Sequence, residues 1–340
     1  MSDLQIGLIS LGIVLILVVV CFNWWQDRRV RQRMQEHFPE TEQDPLMGGV
    51  APVGVRREPG FGAVETAADA SGDDPDDVDP ATEAVIDIAF AHPASGRELY
   101  EATQAIHKVG GKPVRVFAEC EGGGHRAWVR EDESYVSMQL AVLLANRSGA
   151  LTDIEWSHLW TIAQRLAEHF DGSVEGPEQD AVLAKAGQLD ALCAELDAQV
   201  GLAVRLDGVR PVAEVAQVVR DAGFLNHGRH LAWMADNGIP RFTVLFDGVP
   251  ASEVQSAGVE TLDLLLDLPR SAPDEQAFSR MACVGRDLAA RLEAILVDDQ
   301  GRPVADDADH AIDESLSVLY GNLDKAGFMA GTERTTRLFS

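Results

Sequence analysis

Apolar residues fall along this chain in three regimes. Ile6 to Trp25 is one continuous apolar run, IGLISLGIVLILVVVCFNWW, with no charged residue inside it. From Met34 to Ala81 neither a two-residue nor a 3.6-residue period holds. From Thr82 to Ser340, short segments that alternate in polarity give way repeatedly to stripes at helical spacing. That is the pattern of strands interleaved with helices.

The first regime predicts a transmembrane helix over residues 6–25. At about 1.5 Å per residue, some twenty residues span roughly 30 Å, the thickness of a hydrocarbon core. Arg28, Arg29, Arg31 and Arg33 follow directly, whereas residues 1–5 carry only Asp3. Arginines beside a span stay on the cytoplasmic side, so residues 1–5 are expected outside and everything after the span inside. Trp24 and Trp25 sit where an interfacial aromatic belt belongs. A cleaved signal peptide fits less well, because there is no basic n-region and no small-x-small cleavage site.

Residues 26–81 are expected to form a basic stub and then an acidic, disordered linker. The segment is rich in Pro, Gly, Ala and acid and ends in Asp73-Asp74-Pro75-Asp76-Asp77-Val78-Asp79-Pro80. It lacks the apolar surface needed to offset its ordering entropy. A flexible chain of that length reaches roughly 40 Å end to end. The aspartates lack the spacing and flanking helices of a calcium loop.

The third regime reads as one pattern written twice. In the first copy a strand at Ala84–Phe90 precedes a helix near Arg97–Val109. Strands follow near Pro113–Glu119, His125–Arg130 and Tyr135–Leu144. A helix with Trp156, Leu159, Trp160, Ala163, Leu166 and Phe170 on one stripe comes next, then a strand near Gly172–Glu175 and a helix at about Asp180–Gln199. The second copy repeats the order: a strand at Leu202–Leu206, a helix at Pro211–Ala222, and strands near Arg229–Met234, Arg241–Phe246 and Thr261–Leu268. A helix follows at Asp274–Glu293 with Phe278, Met281, Leu288 and Leu292, then a strand near Ala294–Val297. The last helix is Asp309–Lys325, with Ile312, Leu316, Leu319, Tyr320 and Leu323 on one side. The closest local match sets Leu140–Ser148 beside Leu262–Ser271.

The fold class expected is therefore α+β: a transmembrane helix, a disordered linker, and two tandem two-layer, split β-α-β-like sandwiches. They cover residues 82–199 and 200–330, with a tail at 331–340. Helices on one face of each antiparallel sheet leave the other face open.

Charge narrows the partners. The 340 residues carry 28 Lys+Arg against 55 Asp+Glu, a formal charge of −27. Nucleic acid is excluded as a partner, since phosphate binding needs clustered cations. The four cysteines, Cys21, Cys120, Cys193 and Cys283, are far apart in sequence and suggest neither a disulfide framework nor a zinc site.

Catalytic and metal constellations are missing from the sequence. Gly110-Gly111-Lys112 lacks the spacing of a phosphate loop. Gly122-Gly123-Gly124-His125 reads as a permissive loop between strands. His227 and His230 lie three apart with no further ligand nearby, so exposed histidines are the simpler interpretation. Asp298-Asp299-Gln300-Gly301 is ordinary turn chemistry. No catalytic residue, cofactor or metal is expected, and the protein is not expected to be an enzyme. A tethered binding module fits these features, because a flexible leash raises effective concentration near the membrane.

At this point the chain resembles the ZipA family of bacterial cell-division proteins. The resemblance rests on the N-terminal anchor, the unstructured linker and the C-terminal α+β region. It also rests on Ala222-Gly223-Phe224 closing a helix, and on Val297-Asp298-Asp299-Gln300-Gly301-Arg302-Pro303 before the last helix. Ala145–Leu151 and Leu338-Phe339-Ser340 look like a variant of that family with an extra domain. The family linker is long and rich in Pro and Gln and is followed by one domain; here the linker is shorter and acidic and a second domain-like copy precedes the last, which leaves open which copy binds, or whether both do.

The resemblance implies that the C-terminal copy binds the tail peptide of the tubulin-like division protein FtsZ in an apolar groove on the open sheet face. It would then tether FtsZ filaments to the bacterial inner membrane through residues 6–25. Residues 1–5 would be periplasmic, and the protein would support Z-ring and septum assembly at mid-cell. Candidate groove residues follow from alternation along the strands. Leu262, Leu264, Leu266 and Leu268 should face the helices, leaving Leu265 on the open face. Ala232 and Met234 oppose inward Leu231 and Trp233. Ala203 and Arg205 point outward, with Arg205 placed to pair with acidic residues of the tail. Either parity of the next strand could face inward, and matching to the family places Phe242, Val244 and Phe246 on the groove.

Ordinary sheet packing is the competing explanation for each of these residues. A membrane-anchored enzyme or ligand sensor on the same frame is the alternative function, with a deep polar pocket as its mark. Self-association through the first copy is a further expectation.

Overall fold

A computed structural model describes residues 77–127, 129–304 and 309–340. The expected membrane span at 6–25 and linker residues 26–76 lie outside the described residues. Among the described residues, no helix is long and apolar enough to cross a membrane. All of them belong to one compact unit, Ala70–Ser340.

The unit contains two mixed sheet-and-helix halves with the same element order. The first runs β1 (Glu83–Ser95), α1 (Gly96–Thr103), β2 (Lys108–Val109), β3 (Lys112–Cys120), β4 (His125–Arg126), β5 (Ser134–Leu143), the hairpin β6 (Ala145–Asn146) and β7 (Gly149–Ala150), α2 (Asp153–His169), β8 (Ser173–Glu175) and α3 (Gln179–Leu196). The second runs β9 (Gln199–Pro211), α4 (Val212–Asp221), β10 (Leu225–His227), β11 (His230–Met234), β12 (Pro240–Phe246), β13 (Val249–Pro250), β14 (Gly258–Asp267), a 3-10 turn (Leu268–Arg270), α5 (Ala277–Arg291), β15 (Ile295–Val297) and α6 (Asp309–Lys325). A short helix, α7 (Glu333–Leu338), closes the chain. Spatial strand order is β2-β3-β5-β1-β8 in the first sheet, with β4 on β3. In the second it is β10-β11-β12-β14-β9-β15, with β13 on β12. Apart from the added edge strand β10, the two sheets correspond strand for strand.

The two-residue period decides which face is core. In β14, Leu262, Leu264 and Leu266 are buried while Thr261, Asp263 and Leu265 stay partly exposed. Cross-strand register carries this parity to neighbours: Val244 opposes Leu264, Phe246 opposes Leu262, and Leu202 and Val204 oppose the same leucines from β9. Helix α5 lies against this side. A Cβ added at Gly285 would come 2.8 Å from Leu296 Cδ1 and 3.0 Å from Leu264 Cδ1, so glycine permits the close approach. Phe278, Met281, Leu288 and Leu292 fill the layer between. In the first half, Ile86, Ile88, Met138, Leu140 and Val142 meet Trp156, Leu159, Ala163 and Leu166 of α2. That helix begins with a reciprocal cap, in which Thr152 and Glu155 satisfy each other's backbone N–H groups.

The halves are stitched at two places. The Arg147 guanidinium, between β6 and β7, donates to both carboxylate oxygens of Asp267 at 2.6 and 2.7 Å and to both of Asp197 at 2.9 and 2.7 Å. Burial opposes its charge, but the two aspartates outweigh burial and hold its pKa above the ordinary arginine range. The Phe339 ring lies 5.9 Å from the same guanidinium. At the second place Arg334 of α7 pairs with Asp79, Nε to Oδ2 2.8 Å.

Several segments differ from expectation: the helix expected near Arg97–Val109 ends at Thr103, with Lys108–Val109 forming β2, and the strand expected near His125–Arg130 is His125–Arg126 alone. Residues 77–81 are part of the packed unit rather than linker: the Asp79 carboxylate is buried and accepts from Ala81 N–H and Thr82 Oγ1–H. The segment 331–340 is no loose tail, because Thr335, Leu338 and Phe339 are buried where α7 packs. Its amphipathic stretch is only six residues long, too short to show a helical period.

Candidate functional site: the exposed face of the second sheet

The face of the second sheet away from its helices is built from rows of cross-strand neighbours. One row runs Leu225, Ala232, Thr243, Leu265, Gly201 across five strands. Leu225 is 60% exposed, Leu265 and Thr243 are partly exposed, and Ala232 is fully enclosed. The short side chains of Ala232 and Thr243 separate the two leucines along this row. The next row is Leu245, Asp263, Ala203, Val297, and the one after is Thr261, Arg205, Ile295. Ile295 is 59% exposed.

The structure therefore brings Ala203, Arg205 and Leu265 together as expected from their parity. Ala232 lies at the same parity but is covered and offers no accessible surface. Met234 sits beyond a register shift, opposite Pro240, and is partly buried.

Phe242, Val244 and Phe246 are a correction. The family resemblance places them on the groove, yet each is 0–2% exposed on the helix-covered side, where Val244 and Phe246 oppose Leu264 and Leu262 and Phe242 opposes Trp233. Phe242 stacks on Trp233 at 6.1 Å and meets Phe224 edge-on at 5.8 Å. A side chain enclosed in that cluster cannot meet a partner. The outward set on β12 is Arg241, Thr243 and Leu245. Aromatic bulk at the ends of the strand was the signal that Phe242 and Phe246 are core. Leu225 and Ile295 were missed because β10 and β15 are three-residue edge strands with too few positions to show alternation.

His230, opposite His227 at the β10–β11 turn, belongs to the same side of the sheet. Its Nδ1 is enclosed without a hydrogen-bond partner among the described residues. Burial, then Arg229 and Arg270, and His227 more weakly, push its pKa down, with Glu253 opposing. The sign follows directly. The unfolded chain takes up a proton near the ordinary histidine pKa, about 6.5, before the folded one does. Stability is fully present above that value and is lost as pH falls below it. Thermal melting between pH 7.5 and 5 should show a steeper decline for wild type than for His230→Gln. Parallel declines would remove His230 from the account.

The equivalent face of the first sheet is different. Arg115 pairs with Glu83 and lies 4.6 Å above the Phe117 ring, which is buried beneath it. Gln139 donates to Asp87 at 2.7 Å and Ser137 to Glu119 at 2.9 Å. Polar groups there satisfy one another across neighbouring strands, and the face presents no apolar strip. Among the described residues, no group of three or more His, Cys, Asp or Glu is placed to hold a metal ion.

Residues 247–315 match the family model described as ZipA, C-terminal FtsZ-binding domain. The matched stretch runs from the β12–β13 turn through β14, α5 and β15 into α6, and includes Leu265, Ile295 and the Asp298–Arg302 turn. The remaining candidates, Ala203, Arg205, Ala232, Met234, Phe242, Val244 and Phe246, precede it. No curated protein matches the chain.

Proposed function

We propose that this chain is a non-enzymatic cell-division adaptor that binds the C-terminal tail peptide of FtsZ on the exposed face of the second sheet. The observation that carries it is a coincidence of two independent features. The stretch similar to an FtsZ-binding domain lies in the half whose open face is apolar. The first half has neither feature. In this proposal residues 200–330 are the FtsZ-binding domain and residues 82–199 a related domain that does not bind the tail. Residues 6–25 cross the inner membrane with residues 1–5 in the periplasm, and the linker holds the adaptor beneath the membrane at mid-cell.

An apolar strip suits an acidic protein, because burial contributes about 25 cal/mol per Å² regardless of net charge. The test is fluorescence anisotropy of a labelled FtsZ tail peptide titrated with the protein. Saturable binding is expected, and Leu265→Asp should weaken it tenfold or more. Tenfold corresponds to about 1.4 kcal/mol, which roughly 55 Å² of apolar contact supplies at that coefficient. A flat titration of the wild-type protein up to high micromolar concentration would overturn the proposal.

A further inference from the structure

We infer that Arg205 is the charged anchor of the proposed peptide site, taking a carboxylate of the bound segment, and that the Asp298–Arg302 turn holds it in position. The inference rests on the FtsZ-binding proposal and names the chemistry of its ligand: an apolar segment carrying Asp or Glu.

Arg205 stands apart from the other arginines. In a protein with 55 acidic residues, nearly every described arginine is paired with a carboxylate. Among the described residues Arg165, Arg205 and Arg220 have no such partner, and the first and last lie on exposed positions of α2 and α4. Arg205 alone of these projects from the open sheet face, between Thr261 and exposed Ile295, one row from Leu245, Asp263 and Ala203. A peptide laid over that apolar strip removes water from the guanidinium. A segment without a carboxylate there carries the cost of an uncompensated cation, whereas one with a carboxylate recovers it. Discrimination between segments follows from that difference.

The turn accounts for why the guanidinium is available. Asp298, in the turn that reaches Arg205 through Gly301, is taken up within that turn. Its carboxylate accepts from the backbone N–H groups of Gln300 and Arg302 at 2.9 and 2.8 Å and from Arg302 Nε at 2.9 Å. Gly301 then presents bare backbone to Arg205. A Cβ there would sit 3.3 Å from Nη2 and 3.8 Å from Nη1, and φ is +75°, a region that favours glycine. Gly301 is thus a positioning residue, and the Asp-Gln-Gly run acquires a role beyond closing a turn.

The test uses the full-length protein and two labelled peptides: the FtsZ tail, and the same tail with every Asp and Glu changed to Asn or Gln. Anisotropy is read at about 50 and about 300 mM NaCl, where the screening length falls roughly from 14 to 6 Å. Arg205→Glu should weaken the acidic tail at least tenfold, Arg205→Lys only a few-fold, and Gly301→Ala to an intermediate degree. Wild type and Arg205→Glu should bind the neutralised tail alike, and the loss of acidic-tail affinity with salt seen for wild type should be absent or reversed in the variant. A lost fold would show in the melting temperature, and the neutralised-peptide arm on wild type then decides the matter alone: unchanged affinity overturns the inference. Saturable wild-type binding with an unaffected Arg205→Glu overturns the anchor and leaves the FtsZ proposal standing. No saturable wild-type binding overturns both.

Discussion

Replacing Arg147 with methionine should lower the free energy of unfolding by about 3 kcal/mol or more, the range seen when one member of a buried ion pair is removed. The side chain is 18% exposed, and among the described residues it is the only cation that bridges Asp197 and Asp267, whose side chains are 31% and 18% exposed; Arg270 reaches Asp267 alone, at 4.0 Å. Methionine keeps much of the volume but strands two carboxylates close together in a partly dry setting. Their mutual repulsion and their lost hydrogen bonds act in the same direction. Urea denaturation followed by tryptophan fluorescence should show the lower midpoint. It should also separate one transition into two, because Arg147 ties the β6–β7 hairpin of the first half to β14 of the second. Asp197→Asn and Asp267→Asn should each cost less, since the other aspartate remains to hold the guanidinium. A shift below about 1 kcal/mol with a single transition would mean that Arg147 does not hold the halves together.

Phe242→Ala should destabilise the protein by about 3–5 kcal/mol, the usual cost of truncating an enclosed aromatic ring. The ring is 2% exposed between Trp233 and Phe224. Removing it opens a cavity under the sheet and takes one ring contact from each of Trp233 and Phe224, which still meet each other edge-on at 5.5 Å. The same substitution should leave the affinity of the folded fraction for the FtsZ tail within about twofold, the reverse of Leu265→Asp. The pair of variants distinguishes the two faces of one sheet. If Phe242→Ala were stable and failed to bind, β12 would have to be turned over, and its register with β14 with it.

Much of the architecture is legible in the pattern of the chain, and the reasons are local. The α2 stripe of Trp156, Leu159, Ala163 and Leu166 is long enough for a helical period to stand out, and the alternating Leu262, Leu264 and Leu266 orient β14. The exposed face is harder. In β12 the order Phe-Thr-Val-Leu-Phe offers apolar residues at both parities, so period alone leaves the side undecided. The decision comes from Leu264 opposite, a contact between residues 20 positions apart. Leu225 and Ile295 sit on edge strands whose existence depends on pairing with β11 and β9 rather than on their own composition. Asp79 looked like one more acid in a solvated run, because its partner Arg334 is 255 residues away.

That same pairing has a mechanical consequence. The chain passes from its N-terminal segment into the packed unit at Asp79, and Asp79 grips the helix that ends the chain. In the proposed adaptor, tension between membrane and filament arrives along the leash at this point. The Asp79–Arg334 clasp shunts the load straight to the terminal helix, alongside the half that holds the filament. The strands of the first sheet are then spared from being peeled away in sequence.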